Sequence, residues 1–159
     1  MMMRTFAASA VTVLVGGVLY AQAPAVTTAA CERLAGSLKL PNTTVTSVQA
    51  VPAGSFTPPG ARQPVTGLPA FCRVALTLKP SSDSDIKSEV WLPLAGWNGK
   101  FQQVGNGAWG GSIQYGPLAE AVKRGYAGAS TDTGHTGPDA SFAVGHPEKL
   151  IDFGYRAVH

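Results

Sequence analysis

The chain predicts an α/β fold in which an antiparallel hairpin leads into a parallel sheet with crossover helices. Three observations carry that reading. Residues 71–79 and 87–94 alternate apolar with polar side chains on either side of the polar turn 81–85, the pattern of paired strands. Residues 101–104 form a short strand that runs into a glycine-rich stretch, 105–112, and then into a helix opened by Pro117. Residues 126–130 are a compact apolar run, as expected of a buried parallel strand.

The elements follow in order. Residues 44–51 are rich in Val and Thr and read as a strand. The stretch 52–69 contains Pro52, Pro58, Pro59, Pro64 and Pro69 and reads as a loop without regular structure. Pro80 stops the 71–79 strand, and Trp97-Asn98-Gly99-Lys100 is a turn whose strongest element is Asn-Gly. The helix over 117–124 turns Leu118, Ala121 and Val122 to one face and ends at Gly125. After a polar loop over 131–138, Pro147 opens a second helix with Glu148 in its first turn. That helix carries Leu150, Ile151, Phe153, Tyr155 and Val158 and reaches His159 without a Gly, Asn or Pro stop. The expectation is a chain cut inside a longer domain, with the 126–130 strand missing its next parallel neighbour.

Composition narrows the function. Only 13% of the residues are charged, with 12 Lys and Arg against 9 Asp and Glu, and no basic run could neutralise several phosphates. That excludes a nucleic-acid partner. Hydrophobic content of 45% excludes general disorder. Residues 1–25 read as a secretory signal: Arg4, an apolar run from Phe6 to Tyr20, then Ala21, Ala23 and Ala25. As a helix the run spans about 22 Å, short of the ~30 Å hydrocarbon layer. Cleavage falls after Ala25 in preference to Ala23, which would leave Pro24 at the cut. Residues 26–159 are then an exported chain, secreted or periplasmic, with no membrane partner after signal removal. In an oxidising compartment Cys31 and Cys72, the only cysteines, are expected to pair as a disulfide. Chain entropy assigns that bond roughly 4 kcal/mol.

Two chemistries compete for the glycine-rich stretch. Gly105-x-Gly107-x-x-Gly110 follows a strand, and Asp132 stands about 20 residues further on, the layout of a dinucleotide site in an oxidoreductase. Its third glycine, however, stands well before the helix that should carry the phosphate. The second chemistry is an oxyanion hole, in which backbone N–H groups of a glycine-rich loop receive a developing O⁻. Gly107 and Ala108 are the donors on this reading, with Trp109 a wall for an aromatic acyl group. Asp132 and His135 then border the site from a neighbouring loop. Ser130, Asp132 and His135 also invite a catalytic triad, but six consecutive residues cannot align both contacts. Asp132, His135, Asp139 and His146 invite a metal site but lack the spacing to fix one. A third class is a non-catalytic module that binds carbohydrate or phenolic ligands on Trp91, Trp97 and Trp109.

These residues resemble a known family. Trp97-Asn98-Gly99-Lys100-Phe101, Gly105-Asn106-Gly107-Ala108-Trp109-Gly110-Gly111, Gly125-Tyr126-Ala127, Ser130-Thr131-Asp132-Thr133-Gly134-His135 and Phe153-Gly154-Tyr155-Arg156-Ala157-Val158-His159 occur in the order seen in tannases and feruloyl esterases. The likeness runs from about Cys31 onward, and Cys31 and Cys72 look like that family's N-terminal disulfide. The resemblance implies the N-terminal part of an α/β-hydrolase fold with a lid domain inserted later. It also implies serine hydrolysis of aryl carboxylic esters, such as feruloyl or galloyl esters or a terephthalate monoester. The family's nucleophile in a Cys-Ser motif, its Asp and its His-Cys, and the calcium held in its lid, would lie further on. The catalytic residues are therefore expected outside this chain, with no metal or other cofactor within it. Ala108 departs from the family, where Gly is commoner.

Overall fold

The computed structural model describes residues 25–159. The signal reading of residues 1–25 thus falls, apart from Ala25, outside the described residues.

The described residues form seven strands and three α-helices, in the order α1 (Thr28–Ser37), β1 (Thr43–Val51), β2 (Gly54–Phe56), β3 (Val65–Leu68), β4 (Phe71–Leu78), β5 (Ile86–Pro93), β6 (Phe101–Val104), α2 (Tyr115–Lys123), β7 (Ala127–Thr131) and α3 (Pro147–Ile151). A 3-10 turn over Ala140–Ala143 precedes α3, and a π-helical turn over Asp152–Arg156 follows it. Five strands form one mixed sheet in the order β1-β4-β5-β7-β6. The expected hairpin is β4–β5, antiparallel from Phe71 opposite Pro93 to Leu78 opposite Ile86. β7 lies antiparallel to β5 and parallel to β6, and α2 is the crossover between the two parallel strands. The α/β class therefore holds.

Side chains alternate across β4 and define two cores. On one face Phe71 and Trp91 stack with ring centroids 4.3 Å apart, under Leu118, Ala119 and Val122 of α2 and Leu68 of β3. On the other face Cys72 and Val74 meet α1 through Cys31, Leu34 and Leu38. The Cys31–Cys72 disulfide pins α1 to that face. α1 is an element the sequence reading did not mark. Its signals are Thr27, whose side chain caps Ala30 N–H, and the helix formers Ala29, Ala30 and Leu34 behind it.

Three other expectations need correction. The stretch 52–69 is not without regular structure, because β2 and β3 pair antiparallel within it. None of its five prolines lies inside either strand, so none interrupts the short ladder. α2 begins at Tyr115 instead of Pro117; Pro117 stays in the first turn, where a missing N–H costs no helical bond. β7 is not an edge strand, since it inserts between β5 and β6; among the described residues the sheet's outer strands are β1 and β6. The end of α2 is as expected. Gly125 takes φ +75°, and a Cβ there would lie 2.6 Å from the Gly96 carbonyl oxygen.

A buried charge network ties the α2 face together. Glu89, 2% exposed, accepts from Arg73 Nε (2.8 Å) and Arg73 Nη2, from Trp91 Nε1 (2.8 Å) and from Tyr115 Oη (3.1 Å). Burial, then the neighbouring Glu89 carboxylate, push the Tyr115 phenol up to about 12. Glu89→Ala strands the Arg73 charge in the core and should destabilise the chain by about 3–5 kcal/mol, read by urea unfolding against the parent. Because the folded Tyr115 holds its proton above the free-tyrosine value of 10.0, the unfolded chain releases it first as pH rises. Stability must then fall between pH ~10 and ~12. Tyr115→Phe should shallow that slope by about one proton, measured as unfolding free energy against pH.

Candidate active site

Strands β6 and β7 run parallel, so the loops leaving their carboxyl ends, at Val104 and Thr131, emerge side by side. In an α/β sheet this is where ligands are received. Asn106 joins the two loops: its Nδ2 donates to the Thr131 carbonyl (2.9 Å), and its Oδ1 accepts from Gln114 Nε2 (2.7 Å).

The loop after β6 is a tight turn. Gly110 N–H donates to the Gly107 carbonyl at 2.9 Å, and Ala108 sits in the left-handed region at φ +47°. Such a conformation costs a non-glycine residue about 1–2 kcal/mol. Gly107 and Ala108 are solvent-exposed. Among the described residues, the N–H groups of both donate to no protein acceptor. Two adjacent free amides on a constrained turn can hold an anionic oxygen.

Trp109 is neither isolated nor buried. It is 42% exposed and packs near Phe153 (centroids 5.0 Å) and Phe142 (6.3 Å). His135 completes the cluster, stacked on Phe142 at 3.7 Å with 12° between planes. Phe142 went unmarked in sequence and Phe153 was read only as an apolar residue of the last helix and of the family stretch, because both follow β7 in irregular or short helical segments, where spacing carries no facing information. Beside them an open cleft of about 430 Å³ is lined by His135, Phe142, Val144, His146 and Lys149 among others.

Asp132 serves its own loop. Its Oδ1 accepts from Lys87 N–H (2.9 Å) and Gly134 N–H (2.8 Å). Burial pushes its carboxyl above the ordinary range, against those two bonds. His135 Nε2 lies 2.9 Å from the Trp109 carbonyl, while Ser130 Oγ accepts from Gln114 N–H (3.0 Å). Ser130, Asp132 and His135 therefore each answer to a different partner and form no triad. The four candidate metal ligands also disperse. Asp139 caps Ser141 N–H and His146 pairs with Asp83, and among the described residues no three His, Cys, Asp or Glu group together.

The alternative readings lose their geometry as well. Trp91 is fully buried, and Trp97 and Trp109 flank opposite ends of β6, so the three tryptophans make no common platform. The dinucleotide pattern fails at its third glycine. Gly110 is spent in the turn, and Gly111 pairs with Gly137 before α2 begins.

The fold and this pair of loops define an α/β protein with a glycine-built amide site at the carboxyl edge of its parallel strands. Residues 72–159 match the family model described as "Tannase and feruloyl esterase", and the chain belongs to that family. It is 52% identical over 132 residues to an uncharacterized esterase of Xanthomonas campestris pv. campestris, covering 82% of this chain and 23% of that one. It is 37% identical over 139 residues to a probable feruloyl esterase B-1 of Aspergillus oryzae, covering 82% and 26%. The crystal structure of feruloyl esterase B from Aspergillus oryzae superposes with a TM-score of 0.76 at 38% identity, over 83% of this chain and 26% of that chain. The chain thus spans about a quarter of the length of these relatives.

The seat of His135 is sharply defined. A Cβ on Gly111 would lie 2.5 Å from the His135 carbonyl oxygen and 2.7 Å from its ring Nε2. Gly111→Ala should therefore push the two loops apart and destabilise the chain by about 1–3 kcal/mol. The expected signature is loss of amide protection at Gly111 and Gly137 in hydrogen exchange.

Proposed function

We propose that this chain supplies the oxyanion-binding loop and part of the scaffold of an exported serine esterase acting on aryl carboxylic esters, such as feruloyl or galloyl esters. The free, adjacent amides of Gly107 and Ala108 beside an exposed aromatic cluster carry the reading. An ester carbonyl placed there gains a negatively charged oxygen when attacked, and fixed N–H groups stabilise that charge more than they do the neutral carbonyl. Losing one such donor typically costs 10²–10³ in kcat. Trp109, with Phe142 and Phe153 behind it, offers an apolar wall for the acyl ring.

The attacking serine belongs outside these 159 residues on this reading. Within the described part, Ser130 is buried and engaged by Gln114, and His135 is engaged by Trp109. The serine attacks the ester carbonyl and the bond to the alcohol breaks, the alcohol leaving with the serine's proton; water then hydrolyses the acyl-enzyme, releasing the acid and restoring the serine. The Cys31–Cys72 bond suits an oxidising compartment, which supports export. A calcium ion in a lid, implied by the family likeness, would likewise be held by residues outside this chain.

The test is expression of the full reading frame that encodes this chain, assayed with methyl ferulate and methyl gallate. Ester cleavage abolished by a serine-directed sulfonyl fluoride is expected, with no cleavage by residues 26–159 alone. Absence of cleavage by the full protein, or Ser-dependent release of ferulate by residues 26–159, would overturn the reading.

A further inference from the structure

Three consecutive peptide units of the loop after β6 are gripped by the single loop after β7. His135 Nε2 meets the Trp109 carbonyl at 2.9 Å, and Thr133 Oγ1, whose single proton faces the Asp132 carbonyl at 2.6 Å, also stands 3.2 Å from the Gly110 carbonyl. Gly111 N–H donates to the Gly137 carbonyl at 2.8 Å, and Gly137 N–H returns a bond to Gly111 at 3.4 Å. A carbonyl oxygen only accepts, so His135 must carry its proton on Nε2. The ring cannot swing away: it is 8% exposed, stacked on Phe142, and occupies the space a Gly111 side chain would need.

Hydrogen bonds lead from this imidazole to the candidate oxyanion site. The Trp109 carbonyl belongs to the same planar peptide as Gly110 N–H, and the two point in opposite directions. Gly110 N–H donates to the Gly107 carbonyl. The Gly107 carbonyl in turn shares its peptide plane with Ala108 N–H, which must point away from the turn. The direction of the Ala108 amide is thus set through two peptide units in series, anchored at His135 Nε2. Each bond also polarises the next, so the anchored chain makes Ala108 a stronger donor.

We infer that His135 is a positioning residue for ester hydrolysis, holding the Ala108 amide in the direction that receives the oxyanion; this rests on the esterase reading above. The histidine touches neither the substrate nor the reacting atoms, and its effect belongs to the transition state rather than to substrate binding.

The experiment compares His135→Ala, His135→Gln and His135→Asn in the full reading frame's protein with methyl ferulate. Gln can bring its amide nitrogen to the place of Nε2, whereas Asn is too short to reach the Trp109 carbonyl. Expected are a fall in kcat of about tenfold to a hundredfold for Ala and Asn, with KM changed less than about threefold, and recovery of at least about tenfold by Gln. Affinity for an arylboronic acid, which forms a tetrahedral adduct with the serine, should fall in step with kcat, while ferulate binding stays constant. Equal kcat for Gln and Asn overturns the inference, and that comparison stands even where the Ala variant fails to fold. A second readout is independent of catalysis. Amide exchange at Gly110 should be protected in the parent and in His135→Gln and fast in His135→Asn; equal protection in all three overturns the inference. An inactive parent with this exchange pattern intact would instead count against the esterase reading alone.

Discussion

Gly111 has no side chain, and the imidazole of His135 stands where one would be. That close approach couples the two loops that leave β6 and β7. Around it the Trp109, Gly110 and Gly111 peptides lock onto the loop over 132–137, and Phe142 closes over the ring. A turn of glycines, which would otherwise sample many conformations, is thereby held in one. The role proposed for the free amides of Gly107 and Ala108 depends on the peptides of Trp109, Gly110 and Gly111 being held in this way.

The frame beneath that turn is rigid for different reasons on its two faces. On the α1 face a covalent bond and aliphatic packing hold the first helix to β4. On the α2 face the stack of Phe71 and Trp91 surrounds a buried carboxylate whose oxygens are satisfied by Arg73, Trp91 and Tyr115. Glu89 would be costly alone in such a place. With three partners it fixes the relative setting of β4, β5 and the start of α2, and so the point from which α2 returns the chain to β7. At the other end the frame is open. The outer edge of β6 is unpaired among the described residues, and Leu150, Ile151, Tyr155 and Val158 leave apolar surface exposed.

Much of this was legible from the residues. β4 and β5 declare themselves by alternation around a polar turn, and β7 by an unbroken apolar run that matches its complete burial. The run from Gly105 to Gly111 marks the turn on which Gly107, Ala108 and Trp109 stand exposed. The family likeness carried the expectation of an esterase further than any local pattern could. The misses have specific causes. α1 follows directly on an apolar leader-like stretch, which drew the reading toward targeting, and the β2–β3 pair hides among prolines that merely bracket it. Arg73 and Glu89 look like the polar side of a half-exposed hairpin. Only the third layer, α2 with β3, shows that this side is interior.

Sequence alone determined β1, β4, β5, β6 and β7, the stop of α2 at Gly125, the cysteine pair and the glycine-rich turn, because periodicity, proline and glycine constraints act over a few neighbouring residues. Tertiary structure alone determined that β7 inserts between β5 and β6, that Trp91 is core while Trp109 faces solvent, and that His135 grips the peptide of Trp109. Those outcomes depend on which elements become neighbours across the sheet. Burial and hydrogen-bond geometry between distant segments are set only once the parallel pair has formed.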